Sequence, residues 1–170
     1  MKRFFRGRKK NELPAMPTYG WFGNYESWRE ACQATGGYAQ SNILEKTRSS
    51  LAQVRDGIAV YERDSVLFEK NEYPFSLIAS LLYIASGKGN SLRVLEFGGS
   101  LGSTFYQVRE FLSPLHSLHW HIVEQPAYVE VGQAEFENEQ LRFFGSIEDS
   151  LTTGKPDVVL LSSVVQYLEE

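Results

Sequence analysis

Two acids and a cluster of glycines have the types and spacing to hold a ligand. The apolar run "LRVLEF" brings Glu96 to its end, and Gly98, Gly99 and Gly102 follow at once in "VLEFGGSLG". Glycines let the backbone turn sharply from strand to helix and approach a ligand with no Cβ in the way. A helix starting near Ser103 would turn its free N–H groups toward the same place. The second acid, Glu124, lies 22 residues beyond Gly102, close to the separation of about 20 at which an acid reaches ribose hydroxyls in dinucleotide sites.

The residues flanking the loop separate three ligand classes. A phosphate-binding Walker A loop ends in Gly-Lys-Ser/Thr, whereas this one ends in Gly102-Ser103-Thr104 with no lysine. A dinucleotide loop needs G-x-G-x-x-G around a pyrophosphate, and Glu96, two residues before the first glycine, would repel one. The same carboxylate suits a ligand carrying positive charge, such as the amino group and sulfonium of S-adenosylmethionine. Glu124 does not choose between that ligand and NAD, since both carry a ribose.

Positioning these residues requires a parallel sheet. After Gly89 the chain alternates strand and helix: "LRVLEF", "STFYQVREFL", "LHWHIVEQ", "PAYVEVGQAEFEN", "LRFFGS", "SIEDSL" and "PDVVLLSSVV". The helix at Ser103 places Phe105, Val108, Phe111 and Leu112 on one face. Pro126 suits a first helical position, and Ser146 with Asp149 fits a capping box. The last run, continuous in valine and leucine, reads as a strand covered on both faces. This order implies right-handed crossovers and an α/β, Rossmann-like parallel sheet. A ligand in such a sheet sits beyond the strands' carboxyl ends, where the strand order reverses. The chain stops at "QYLEE", just after the fourth strand, so the expectation is half a nucleotide-binding domain, truncated there.

Upstream, residues 1–18 read as a basic disordered tail and linker, 19–89 as a helical, aromatic-rich extension, and 90–170 as the ligand-binding half domain. Expected helices cover "YESWREACQA", "SNILEKTRSSLAQVRDG", with Ser41 as cap and Gly57 as stop, and Pro74 to Ser86. The last is apolar nearly all round and should be buried.

Six of the 17 basic residues fall within the first ten positions. Beyond them 11 basic residues stand against 21 acidic ones, a balance of −10. An acidic body argues against nucleic acid as the main partner. The basic tail could make weak contact with an anionic membrane surface. One cysteine, Cys32, excludes a disulfide framework and a cysteine-based zinc site. No stretch approaches the roughly 18 apolar residues of a membrane span, and the first residues carry no secretory signal. A cytoplasmic location is the expectation.

At these residues the chain resembles class I S-adenosylmethionine-dependent methyltransferases, whose first motif is an acid followed by G-x-G-x-G. From Tyr19 onward, "YGWFGNYESW", "AVYERDSVLF", "VLEFGGSLGS", "VEQ", "SIED" and "PDVVLLSSVVQYLE" together resemble one group of predicted methyltransferases found in bacterial gene clusters for surface polysaccharide. The resemblance implies the class I methyltransferase fold, S-adenosylmethionine as cofactor, and a small-molecule or saccharide acceptor. It implies that Glu96, Gly98, Gly99, Ser100 and Gly102 form the methionine-binding loop. Glu124 would hold the ribose hydroxyls with Gln125 beside the adenine, and Ser146, Ile147 and Glu148 would flank the ring. Ser162 and Ser163 would sit under the methyl group. Ser100 replaces a glycine of the motif, so the loop there must avoid positive φ or tolerate strain.

Other features compete. His119 and His121 share a strand face by alternation, but no cysteine joins them and Glu124 lies on the other parity, so with His116 they read as entry-loop histidines leading into a strand rather than metal ligands. "YGWFGNYESW" is either a lid or a hydrophobic plug. Arg63 and its neighbouring acids either orient an acceptor or form a surface ion-pair cluster. Candidates for a general base are Glu62, Asp64 and Tyr167. The alternatives to a methyltransferase are a non-catalytic truncated module and an NAD-dependent epimerase or reductase. Glu96 and the lack of a Tyr-x-x-x-Lys pair weigh against the last.

Overall fold

The computed structural model describes residues 23–34 and 41–168. The chain divides into two compact units, Met1–Thr35 and Gly36–Glu170. The expected tail, the linker and the start of the aromatic segment lie outside the described residues. In the first unit, helix α1 (Trp28–Ala34) opens on a side-chain cap. The Glu30 N–H donates to Ser27 Oγ at 3.2 Å, while Glu30 Oε2 accepts from the Glu26 N–H at 3.0 Å. This is close to the reciprocal arrangement of a capping box, and "SWRE" is its sequence signal.

The second unit begins with α2 (Ser41–Arg55), which ends before Gly57 at φ +74°. A hairpin follows, of β1 (Tyr61–Arg63) and β2 (Val66–Phe68), then α3 (Phe75–Ser86). From there the elements are β3 (Ser91–Phe97), α4 (Ser103–Leu112), β4 (Ser117–Val123), α5 (Pro126–Val131), β5 (Leu141–Phe144), α6 (Ile147–Leu151) and β6 (Val158–Leu160). A π-helical turn (Gly132–Phe136) extends α5, and a 3₁₀ turn (Val165–Tyr167) follows β6.

Strands β3 to β6 form one four-stranded parallel sheet in the order β5-β4-β3-β6. The chain runs outward from β3 through β4 to β5, then returns to pair β6 on the other side of β3. The order therefore reverses between β3 and β6. This is the α/β sheet that the strand–helix alternation implies, with a generic Rossmann-like topology.

One face of the sheet carries the core. Leu92 and Val94, Leu118, Trp120 and Ile122, and Leu141 and Phe143 alternate inward from three strands. They meet Leu51 and Val54 of α2, Leu81 and Ala85 of α3, and Phe105, Val108 and Leu112 of α4. The other face carries Arg93, His119, His121 and Arg142, with α6 held there by a 3.0 Å contact between Ser150 Oγ and His121 Nδ1.

Three expectations need correction. Helix α3 is not buried all round: it packs Ile78, Leu81 and Ala85 inward, while Tyr83 is 82% exposed and Phe75 is exposed too. A helix lying on one side of a sheet needs only one apolar stripe. The fourth strand is only three residues long, and Val159 is 59% exposed because β6 is the sheet's edge and its outer face is uncovered. His119 and His121 lie inside β4, not in a loop leading to it. His121 is 2% exposed, and burial pushes its imidazole down to about 4, so it is neutral at ordinary pH.

Among the described residues no helix is long and apolar enough to cross a membrane.

Candidate functional site

A cavity of about 840 Å³ opens at the carboxyl ends of β3, β4 and β6, where the strand order reverses. Its size falls in the range usual for small-molecule sites. The glycine loop forms its floor. Gly98 (φ +71°) ties back to β4 through its N–H and the Val123 carbonyl at 2.9 Å. A Cβ built on Gly99 would stand 2.7 Å from Glu96 Cδ, so any larger residue would force that carboxyl to shift. Ser100 takes φ +54°, so the loop tolerates a left-handed serine where the methyltransferase motif has glycine.

Glu96 is 1% exposed and sits beneath this loop. It projects from the core face of β3, as Val94 does, and Trp120 pairs with Val94 across the ladder. That diagonal lets Trp120 Nε1 donate to Glu96 Oε2 at 2.8 Å. Thr104 supplies a second side-chain donor. Burial nevertheless dominates and lifts the Glu96 carboxyl to about 7, for no cation stands beside it. Glu124 lies just past the end of β4, half-buried, with its Oε2 accepting the Gln125 N–H at 2.7 Å. Its carboxyl is also raised, again chiefly by burial.

Both acids line the same cavity, and so do Gly98, Gly99, Ser100, Gln125, Ser162 and Ser163. Glu62, Asp64 and Tyr167 line it as well. The remaining expected residues are not brought into the lining. Gly102 (φ +106°) is buried at the start of α4, where a Cβ would meet Leu141 at 3.1 Å. Ser146 is occupied in capping α6, its Oγ accepting the Asp149 N–H at 3.0 Å. Ile147 and Glu148 follow it in that helix, and Gly145 lines the cavity in their place.

The hairpin adds residues that the sequence reading missed as a unit. Asp64 (φ +51°) and Ser65 (φ +67°) form its two-residue turn, both left-handed as a type I′ turn requires. "Asp-Ser" between "YER" and "VLF" was the available signal, weakened by the lack of a glycine. Arg63 lies over the Tyr61 ring, its Cζ 5.8 Å from the centroid, and its charge acts on Glu62. Thr47 of α2 and Tyr128 of α5 complete this side of the lining.

The lining holds four carboxylates, from Glu62, Asp64, Glu96 and Glu124, and one cationic side chain, Arg63. Five non-glycine residues have positive φ among the described residues, and four of them, Asp64, Ser65, Ser100 and Ser163, border this cavity. Backbone strain of this kind gathers at ligand sites. No group of three or more His, Cys, Asp or Glu among the described residues could hold a metal ion. No protein-family model matches the chain, and no curated protein does.

Proposed function

We propose that this chain binds S-adenosylmethionine at the cavity between β3 and β6 and acts as a methyltransferase on a small-molecule or saccharide acceptor. The observation that carries the reading is the joint placement of Glu96 and Glu124 at neighbouring strand ends around a loop without side chains at Gly98 and Gly99. The cavity's excess of carboxylates favours a ligand with positive charge and disfavours a pyrophosphate. When bound, S-adenosylmethionine supplies a methyl group activated as a sulfonium.

The chain's own residues divide the remaining work. Glu96, beneath the loop and lifted to about 7, adds negative potential in its ionised form rather than an open contact surface, since one of its oxygens is taken by Trp120. Glu124 is the more accessible acid and is the residue assigned to the ribose hydroxyls. Gly98, Gly99 and Ser100 offer backbone to the ligand's amino-acid end. Methyl transfer asks chiefly that the two reactants be held in line and kept from water. A hydroxyl acceptor would pass its proton to Asp64, because Glu62 already accepts hydrogen bonds on both oxygens.

Calorimetric titration with S-adenosylmethionine, S-adenosylhomocysteine and NAD tests the reading. Micromolar binding of the first two is expected, with Glu124→Ala weakening both about tenfold or more. A folded chain that binds neither, or binds NAD in preference, would overturn it.

A further inference from the structure

We infer that Glu62 is a positioning residue for the ligand cavity, holding the β1–β2 hairpin and the glycine loop in one fixed relation through Ser103. This rests on the reading of the cavity as an S-adenosylmethionine site. Glu62 sits in β1, 1% exposed, far in sequence from the loop. Its Oε1 accepts the hydroxyl of Ser103, the residue directly after Gly102 and the first of α4. Its Oε2 accepts the Ser65 N–H at 3.0 Å, inside the hairpin turn. One carboxylate therefore joins the turn on one side to the point where the glycine loop becomes helix on the other.

The hairpin is itself anchored to α2. Ser50 Oγ donates to the Ser65 carbonyl at 2.8 Å, and the Thr47 and Ser65 hydroxyls are 2.8 Å apart. Without Glu62, the turn would stay on α2 and lose its hydrogen bond to Ser103, leaving Tyr61 with Gln107 as the hairpin's other tie to α4. A buried carboxylate is costly, and burial raises its pKa although the neighbouring Arg63 charge opposes the rise. The hairpin needs no charge to turn: the left-handed Asp64 and Ser65 already close it. What the charge adds is a strong acceptor for two donors from separate elements. Those elements are two walls of one cavity, since Asp64 and Ser65 line it from the hairpin and Gly98 to Ser100 from the loop. The adjacent Thr104 turns to Glu96, so successive hydroxyls at the start of α4 bind successive walls.

The test is a double-mutant cycle with S-adenosylhomocysteine as ligand, read together with hydrogen–deuterium exchange of the ligand-free chain. Glu62→Ala and Ser103→Ala should each weaken binding about tenfold. The double variant should be no weaker than the worse single, because both delete one contact. Ser103→Thr, which keeps the hydroxyl, should bind within about twofold of the unmodified chain. Exchange should rise in peptides covering 61–68 and 98–106 while β4 stays protected. Additive losses, a Thr variant no better than Ala, or exchange rising equally through β4 would overturn the inference. If the unmodified chain binds no S-adenosylhomocysteine, the functional reading fails, and the exchange pattern alone decides for or against the tether. Should Glu62→Ala not fold, Ser103→Ala against Ser103→Thr carries the comparison.

Discussion

Gly99 lies directly on the Glu96 carboxyl: a methyl group added there would stand 2.7 Å from Cδ and 2.8 Å from Oε2. Glycine at this position is needed for space, and the acid and the loop are packed as one unit. Gly99→Ala should therefore lower stability by about 1–3 kcal/mol, the usual cost of forcing atoms into a filled site. Gly87 is the control, since its φ is −77° and the nearest atom to an added Cβ, the Ile84 carbonyl oxygen, is 3.5 Å away. Gly87→Ala should be neutral or slightly stabilising. Urea unfolding of the two variants checks the pair.

Stability should fall as the pH rises above neutrality. Glu96 is held at about 7 against an ordinary 4.5, so the folded chain keeps that proton more tightly than the unfolded one. This contribution is fully present below 4.5 and is lost as the pH climbs through 7. His121, pushed down to about 4 from 6.5, works in the opposite sense, and its contribution is lost as the pH falls from 6.5 toward 4. The two slopes oppose each other between 4.5 and 6.5, and above that Glu96 acts without this opposition. Urea unfolding should show a loss of roughly 1 kcal/mol between pH 6.5 and 8. In Glu96→Gln most of that loss should vanish, the remainder coming from Glu62 and Glu124, whose carboxyls are raised too.

Trp120→Phe removes the indole donor but keeps most of the packing. Glu96 would lose its 2.8 Å partner inside the core, at a cost of about 1–3 kcal/mol. The direction of the Glu96 shift is also predicted: upward, because a donor that favours the charged form is gone. Titration of Glu96 by carbon NMR of labelled glutamate should show the move.

Ser100→Gly relieves a left-handed serine at φ +54°. The expected gain is about 0.5–1 kcal/mol after the extra freedom of glycine in the unfolded chain is counted. A rise of about 1–4 °C in Tm by calorimetry would register it.

The sheet was legible because its strands advertise themselves: "LRVLEF" and "LHWHIVEQ" alternate on a core that buries Val94, Trp120 and Ile122 completely. The site was legible as far as it depends on strand ends, which is why Glu96 and Glu124 meet at one cavity. What could not be read depends on tertiary packing. The sequence shows a serine at 103 but not the glutamate, 41 residues earlier, that accepts its hydroxyl. Ser146 shows a cap signal, yet nothing local says that the cap turns it from the cavity toward α6. Tyr83 and Val159 are apolar by composition, and only the arrangement of neighbours leaves them exposed.

Photolabelling tests directly whether the adenosyl ligand lies in the cavity between β3 and β6. Irradiating the chain with S-adenosyl-L-[methyl-³H]methionine and mapping the tritiated peptides should place the label in 96–104 or 124–128, with S-adenosylhomocysteine competing it away. Label confined to other segments, or label that S-adenosylhomocysteine does not displace, would contradict the account.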